Sequence, residues 1–537
     1  MTHFLLLASL VIVACVLSNK LTSKLGMPTL LAFILLGMFF GSDGLVNIHF
    51  DDYHLTQEIC SIALIFIMFY GGFGTKWSEA KPIAVKAILL SSLGTVATAG
   101  LVGLFAWQVL DLPLLESFLL GSVISSTDAA SVFSILRSKR LNLKDGTASL
   151  LEVESGSNDP FSYMLTVIVL SLMNGEAASG GAFVWQVFAQ LAFGLIFGFG
   201  VAMAALAFLR RFRFATEGFD SIFIVAVALI AYAAPTMLGG NGYLSVYLTG
   251  IVMGNYPISN KQSLVNFFDG TTSLMQMILF FLLGLLAFPS QLPAVAPLGL
   301  AVALFLTFLA RPLVVTLLLK PFGSSWKQIS LVSWSGMRGA ASIVFSILAV
   351  TSPAHMGLDL YHMVFFIVLF SILIQGTLIP YVAQILGMID LEGDVMKTFT
   401  DYTEEMPIDF LQCTLPQGHP WVGRQVQDLD FPPECLIVLL TRQGEKLVPN
   451  GSTIFQPGDT VILGGRDGGQ AEGVHLFERT IGIRDPWRNR MISSLDTHGN
   501  LIIMVRRKGQ VIIPKGDTVL LTGDILLIND MDGDPLT

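Results

Sequence analysis

Long apolar runs separated by short polar breaks recur along the chain from its first residues to about residue 389. A run of about 18 or more apolar residues is long enough to cross the roughly 30 Å hydrocarbon core of a bilayer as a helix. The pattern predicts thirteen transmembrane helices, near residues 4–19, 27–41, 56–72, 84–108, 113–136, 147–172, 183–209, 219–236, 242–254, 264–287, 292–319, 328–350 and 360–388. The first 390 residues are therefore predicted to form a polytopic α-helical membrane domain.

The basic residues in or beside the predicted loops all lie on one side. Fifteen Lys and Arg residues follow odd-numbered spans, and none follows an even-numbered span. Lys and Arg concentrate in cytoplasmic loops of membrane proteins. This distribution predicts an N-terminus outside the cell and a cytoplasmic segment after the thirteenth span.

The composition changes after about residue 390. The whole chain of 537 residues is 53% hydrophobic and only 13% charged, against about 25% charged in soluble domains, which excludes an ordinary soluble enzyme. Residues 391–537 nevertheless hold 13 of the 30 basic and 21 of the 39 acidic residues, in short alternating runs typical of strands. Gly458-Asp459 recurs as Gly523-Asp524, within a repeat offset by 65 residues. The predicted organisation is a transmembrane domain (1–390), a linker (391–402) and a small α+β cytoplasmic domain of two related lobes (403–485 and 486–537).

Ionisable residues interrupt three of the predicted spans, where each costs at least about 2.5–3.5 kcal/mol on insertion scales and so needs a partner or a function. The fifth span contains Ser125-Ser126-Thr127-Asp128, and the twelfth contains Gly336-Met337-Arg338-Gly339. The sixth span contains Glu152, Glu154, Ser155, Asn158 and Asp159, and Pro160 is expected to loosen the helix there. Hydroxyls and carboxylates of this kind suit an alkali cation or a proton.

The interrupted fifth and twelfth spans are seven spans apart. Interrupted helices at corresponding positions of two halves indicate an inverted-repeat transporter, with spans 1–6 matching 8–13. An odd offset inverts the second half relative to the first. The chain has no Walker-type phosphate loop, which argues against an ATP-driven pump.

Three motifs resemble those of the first family of monovalent cation/proton antiporters (CPA1), which includes the bacterial sodium/proton and animal sodium/hydrogen exchangers. They are Thr127-Asp128, the string from Glu154 to Asp159, and Gly336-Met337-Arg338-Gly339-Ala340. The tail is similar to that of the cell-volume-regulation subgroup of potassium/proton antiporters (NhaP-type). Its first lobe resembles the C-terminal half of regulator-of-potassium-conductance domains (RCK_C, or TrkA-C).

The resemblance implies an NhaA-like inverted-repeat fold and assigns roles to individual residues. Asp159 and Asp128 would bind the alkali cation or the proton, and Thr127, Ser155 and Asn158 would complete the site. Glu154 and Arg338 would form a structural ion pair, and Tyr70, Glu152 and Arg311 are accessory candidates. Asn158 before Asp159 implies electroneutral exchange of one cation per proton. The third span departs from the family by placing Tyr70 where many members have an acid.

The predicted function is a secondary K⁺/H⁺ antiporter of the bacterial inner membrane, with Na⁺ as a second substrate candidate. Alternating access would let a cation and a proton compete for Asp159 and Asp128. The expected partners are membrane lipid, a second copy in a homodimer and a small effector at the tail, with no cofactor and no nucleic acid. A ligand-gated cation channel, a Na⁺-selective antiporter, and a receptor or scaffold with structural acids remain alternatives.

Overall fold

The chain divides into two compact units, one ending at Tyr402 and one starting at Thr403. The computed structural model describes residues 9–18, 29–138, 141–175, 180–212, 218–256, 258, 261–390, 409–417, 419–429, 436–442, 445–465, 476–482, 485–495, 501–507, 510–512 and 514–529. The whole predicted linker (391–402) lies outside these residues.

Helices dominate the first unit. Those in its described part are α1 (Ser9–Ser18), α2 (Thr29–Phe40), α3 (Tyr53–Gly74), α4 (Trp77–Ala80), α5 (Ala84–Gln108), α6 (Leu114–Val123), α7 (Ala129–Ser138), α8 (Thr147–Met173), α9 (Gly180–Arg211), α10 (Phe219–Thr236), α11 (Gly242–Gly254), α12 (Lys261–Leu286), α13 (Pro289–Phe322), α14 (Trp326–Trp334), α15 (Ala340–Thr351) and α16 (Leu360–Ile385). Each predicted span overlaps a single helix, except the fifth and the twelfth, each of which overlaps a pair of consecutive short helices.

Seven helices among the described residues are long and apolar enough to cross a membrane: α3, α5, α9, α10, α12, α13 and α16. Helix α8 is 27 residues long, but the polar residues of its first half keep it out of this set. Pro160 lies inside α8 without ending it. The prediction that Pro160 loosens the helix is therefore wrong, because α8 continues through the proline.

Two pairs of short helices, α6/α7 and α14/α15, are separated by non-helical segments at residues 124–128 and 335–339. The two segments meet, since the Asp128 N–H donates a hydrogen bond to the Met337 carbonyl over 2.8 Å. At Gly339, a Cβ would lie only 2.2 Å from Asp128 Oδ2. Glycine is required there because the carboxylate occupies the space of a side chain.

The helices form two packed sets. Helices α2, α3 and α9–α12, called here the glycine-packed group, contact one another, and α5–α8 with α13–α16 form the crossing group. Close backbone approach is most evident where α3 meets α11: a Cβ on Gly72 would lie 2.3 Å from the Tyr247 carbonyl oxygen. Small residues permit such contacts between membrane helices. The groups meet where α8 packs on α11 and α15 packs on α3.

A short antiparallel ladder joins the end of α16 to the loop before α8. Strand β1 (Asn142–Leu143) pairs with β2 (Ile389–Asp390). The Lys144 N–H adds a hydrogen bond of 2.9 Å to the Met388 carbonyl. The chain that leads into the tail is thereby fixed to the connection between α7 and α8.

The second unit contains two four-stranded antiparallel sheets with the same topology. One consists of β3 (Asp409–Thr414), β4 (Leu436–Arg442), β5 (Glu445–Leu447) and β6 (Thr460–Gly465), in the order β3-β6-β4-β5. The other consists of β7 (Leu476–Thr480), β8 (Leu501–Arg507), β9 (Gln510–Ile512) and β10 (Ile525–Asn529), in the order β7-β10-β8-β9. Strands β4, β5 and β6 each begin 65 residues before β8, β9 and β10, so the sequence repeat is a structural repeat.

The two lobes bury equivalent residues against each other. One cluster contains Val438, Leu439 and Ile462 from the first lobe and Ile503, Met504 and Leu527 from the second. Each residue of the second set is 65 positions after its counterpart. The contact is therefore self-complementary, like the two-fold interface of a homodimer.

Each lobe also contains the same buried carboxylate with a forked arginine. Arg442 donates to both oxygens of Asp459, over 2.9 and 2.8 Å, and Arg507 to both oxygens of Asp524, over 2.9 and 2.7 Å. The aspartates are 1% exposed. Hydrogen bonds from Arg442 hold the pKa of Asp459 below its ordinary value. Burial opposes the shift at Asp524, but Arg507 and the Leu521 N–H still hold the pKa of Asp524 below its ordinary value.

Arg442→Met is expected to destabilise the tail by about 2 kcal/mol at pH 7, because charged hydrogen bonds to a buried carboxylate are lost. A depressed pKa stabilises the fold above the ordinary aspartate pKa of about 3.9, and that contribution disappears as the pH falls below it. Urea unfolding of residues 403–537 at several pH values would measure the difference between wild type and variant. An equal difference at pH 7 and at pH 3 would contradict the assignment.

Candidate functional site

The break between α6 and α7 leaves backbone carbonyls without helical partners. Arg338 Nη1 donates to the carbonyl oxygens of Ser125 and Ser126, over 2.6 and 2.7 Å. The Arg338 N–H itself donates to Ser371 Oγ over 3.0 Å, which fixes the second break against α16. Arg338, in the break between α14 and α15, thus donates to backbone carbonyls that the break between α6 and α7 leaves without helical partners.

Asp159 lies on α8 beside this break. The Ser126 hydroxyl donates to Asp159 Oδ1. Asn241 Nδ2 donates to the carbonyl of Pro160 over 2.7 Å, which fixes the next turn of α8 to the start of α11. The carboxyl group therefore faces the non-helical segment between α6 and α7, where hydroxyl and carbonyl oxygens are concentrated.

Three predicted site residues bind the break to α8. Ser155 Oγ donates to the Thr127 carbonyl over 2.7 Å, and Asn158 Nδ2 donates to Thr127 Oγ1 over 2.6 Å. The Thr127 N–H donates in return to Asn158 Oδ1 over 3.3 Å. The structure brings Thr127, Ser155 and Asn158 together, in contacts that position the segment between Ser126 and Asp128.

Asp128 begins the second half of the broken helix. Its Oδ1 accepts from the Ser131 N–H over 3.2 Å, and its Oδ2 accepts from Ser131 Oγ over 2.5 Å. A carboxylate at this place satisfies free N–H groups of the first turn and faces the positive end of α7. Asp128 also interacts electrostatically with Asp159. The two aspartates thus share one site, and two negative charges there repel each other.

The predicted ion pair between Glu154 and Arg338 is wrong in its partner. Arg311 Nη2 lies 2.6 Å from Glu154 Oε1 and 2.8 Å from Oε2. The Arg311 side chain passes over Gly336, where a Cβ would lie 2.7 Å from Nε. Arg338 acts on Glu154 only electrostatically, and its Nη1 atom donates instead to the free carbonyls at the end of α6. Arg311 is thus a buried part of the site, 3% exposed.

The remaining accessory residues lie away from the crossing of the breaks. The Tyr70 hydroxyl donates to Asp269 Oδ1 over 3.2 Å, joining α3 to α12. Glu152 is 6% exposed, nearly two turns before Asp159 on α8. Ser126 is one of the hydroxyls that the sequence offers as oxygen ligands before Asp128, but no individual role is predicted for it. A non-helical segment has no helical period from which to choose the residue that faces Asp159.

Two partly buried aspartates beside crossing helix breaks, in a bundle of apolar helices, define the class of membrane-embedded ion transporters. The family described as sodium/hydrogen exchanger, transmembrane, matches residues 7–384, and the TrkA-C domain matches residues 411–472 and again 476–528. The chain belongs to the sodium/hydrogen exchanger family. It is a cation/proton antiporter, hence a transporter and not an enzyme, and both lobes of its tail are TrkA-C domains.

Similar proteins carry related names. The K⁺/H⁺ antiporter NhaP2 of Shewanella sp. (strain MR-4) is 33% identical over 471 residues, which are 86% of this chain and 81% of the relative. The K⁺/H⁺ antiporter NhaP of Alkalimonas amylolytica is 34% identical over 83% of this chain and 78% of the relative. The structure of the sodium proton antiporter MjNhaP1 from Methanocaldococcus jannaschii is similar in fold, with a TM-score of 0.61 and 22% identity, over 70% of this chain and 99% of that one.

Proposed function

We propose that this protein exchanges K⁺ for H⁺ in a 1:1 ratio, and that the cation and the proton compete for Asp159 and Asp128. The observation that carries the proposal is the position of Asp159, whose carboxyl group faces the Ser126 hydroxyl at the crossing of the two breaks. A carboxylate in a site with little water is neutralised either by a proton or by a cation. Each turnover then carries one or the other.

The charges around the crossing support electroneutral exchange. Arg311 and Arg338 supply two positive charges, and Glu154, Asp128 and Asp159 supply three negative ones. With all five ionised, the cluster carries one net negative charge. One proton or one monovalent cation cancels it, so both loaded forms cross the membrane with the same charge.

The proposed topology is that of the sequence analysis: thirteen crossings, an inverted repeat and an N-terminus outside the plasma membrane. In alternating access, the crossing group moves against the glycine-packed group. The close packing of α3 on α11 through Gly72 supports a rigid role for the glycine-packed group. Large exposed apolar side chains on α9, such as Trp185 and Ile196, support a surface for lipid or for the second copy of a homodimer.

K⁺ is the proposed physiological substrate, with Na⁺ second. The names of the NhaP2 and NhaP relatives support K⁺. Many family members have an acid in the third span, where this chain has Tyr70. The Tyr70 hydroxyl donates to Asp269, so an acid from α12 lies close to that position. We place this carboxylate at the approach to the site and not within it.

The tail is proposed to regulate transport through a small effector, with domain boundaries at 390 and 402. The predicted lobe boundary at 485 is too late, because β7 (Leu476–Thr480) pairs with β10 in the second sheet. The two TrkA-C lobes pack against each other through equivalent residues, which supports the proposal that they form one regulatory unit. The β1–β2 ladder gives it a mechanical connection: tension on the chain after Asp390 acts on the loop between α7, which Asp128 caps, and α8, which carries Asp159.

Proton flux from proteoliposomes, with a pH-sensitive dye and K⁺, Na⁺ or choline added in turn, tests the function. We expect K⁺ to drive proton movement at lower concentrations than Na⁺, and choline to drive none. Collapsing the membrane potential with thiocyanate is expected to leave the rate unchanged, because no net charge crosses. Rates that follow the membrane potential would reject 1:1 exchange, and tracer K⁺ flux without protons would indicate a channel.

A further inference from the structure

Tyr247 lies where the glycine-packed group meets the helix that carries Asp159. Its backbone is fixed on α11 by the close approach of Gly72 on α3. Its ring covers Gly156 of α8, where a Cβ would lie 2.6 Å from the Tyr247 Cε2 atom and 2.8 Å from Oη. The phenol therefore occupies the space left by a missing side chain on α8.

The Tyr247 hydroxyl is buried without a hydrogen-bond partner among the residues that the structure describes. The residue is only 4% exposed. The hydroxyls of Ser157 and Thr75 lie within reach of weak hydrogen bonds to it, neither with full hydrogen-bond geometry, and the carboxylates of Glu152 and Asp159 act on it electrostatically. A buried polar group that makes no hydrogen bond destabilises the fold. Such a group calls for an explanation, and a transient partner is one.

The spacing of residues along α8 indicates that this transient partner is the transported cation. Glu152, Gly156 and Asp159 are four and three residues apart, so they follow one face of the helix. The Tyr247 hydroxyl lies on this face at Gly156, between the two carboxylates. A cation that moves along the face from Glu152 to Asp159 passes the phenol oxygen.

We propose that Tyr247 is a specificity-determining residue, whose hydroxyl oxygen contacts the alkali cation on its way to Asp159 and replaces part of its water shell. The inference rests on the proposed function and adds a ligand from the glycine-packed group to a site otherwise built by the crossing group. A neutral phenol oxygen is a suitable ligand for a monovalent cation and adds no charge to the exchange.

Tyr247→Phe tests the proposal because it keeps the ring over Gly156 and removes only the oxygen. We expect the apparent KM for K⁺ in proteoliposomes to rise about fivefold, equivalent to about 1 kcal/mol of lost binding, with the maximal rate within about twofold of wild type. The selectivity between K⁺ and Na⁺ should change as well. Tyr243→Phe is the matched control: it lies one turn earlier on α11, and its hydroxyl lies beside Ser61 and Tyr232.

Two further measurements separate ligand contact from a structural role. The increase in unfolding temperature of the purified protein with KCl should require about fivefold more KCl in Tyr247→Phe. Gly156→Ala, which pushes the ring away without removing the hydroxyl, should raise the KM in the same direction, and it replaces the first variant if Tyr247→Phe does not fold. Wild type without K⁺-coupled proton flux would reject the proposed function. Normal exchange with equal KM values in wild type and either variant would overturn this inference alone.

Discussion

Asp159→Asn is expected to abolish cation-coupled proton movement, by at least about a hundredfold in rate, while the protein still folds. Asparagine has nearly the same shape, and its side-chain oxygen can still accept from Ser126. It cannot take up or release a proton, and it carries no charge to bind a cation. Both half-reactions of the exchange are lost together. Proton flux in proteoliposomes with wild type and variant at equal protein content measures the effect.

Asp52→Asn is the matched control for this experiment. Asp52 is the capping residue at the start of α3, where its Oδ1 accepts from the Leu55 N–H over 2.9 Å, and asparagine caps helices as well as aspartate does. We expect normal exchange from this variant. Transport that survives Asp159→Asn would move the carrier function to Asp128 or Glu152 and remove the main support for the proposed mechanism.

The interrupted helices were predictable because membrane helices have so few polar residues. Ser125-Ser126-Thr127-Asp128 and Gly336-Met337-Arg338-Gly339 stand out against apolar sequence, and both breaks lie at these residues. The polar residues of the site were predictable for the same reason, because they are exceptions within apolar spans: Thr127, Asp128, Ser155, Asn158 and Asp159. A helical period also related the residues on α8 to one another, because that helix continues through Pro160.

The partners of the buried arginines were not predictable from spacing. Arg311 and Arg338 come from different spans, and the sequence does not give the distance between either guanidinium and Glu154. The choice depends on the free carbonyls at Ser125 and Ser126, which exist only once α6 ends, and on the space above Gly336. Tyr247 was missed likewise, since an apolar helix with two tyrosines four residues apart is ordinary, and only the packing on Gly156 distinguishes one of them.

The second large effect concerns the ion pair of Glu154 and Arg311. Glu154→Gln is expected to destabilise the protein severely, because breaking a buried ion pair leaves an uncompensated charge that costs about 3–5 kcal/mol. Thermal unfolding in detergent, followed by the amount of monodisperse protein on size-exclusion chromatography, measures the loss. The effect should exceed that of Asp159→Asn, since Asp159 has no arginine partner among the described contacts.

The identity of the partner decides which second substitution restores stability. Adding Arg311→Gln to Glu154→Gln removes both charges, so a large part of the stability should return, as it does when a buried pair is replaced by neutral groups. Adding Arg338→Gln should give no recovery and a further loss, because the carbonyls of Ser125 and Ser126 lose their charged donor. Recovery with Arg338→Gln in place of Arg311→Gln would mean that Glu154 pairs with Arg338. The break between α6 and α7 would then need another donor for its carbonyls, and the charge balance that supports 1:1 exchange would have to be rebuilt around it.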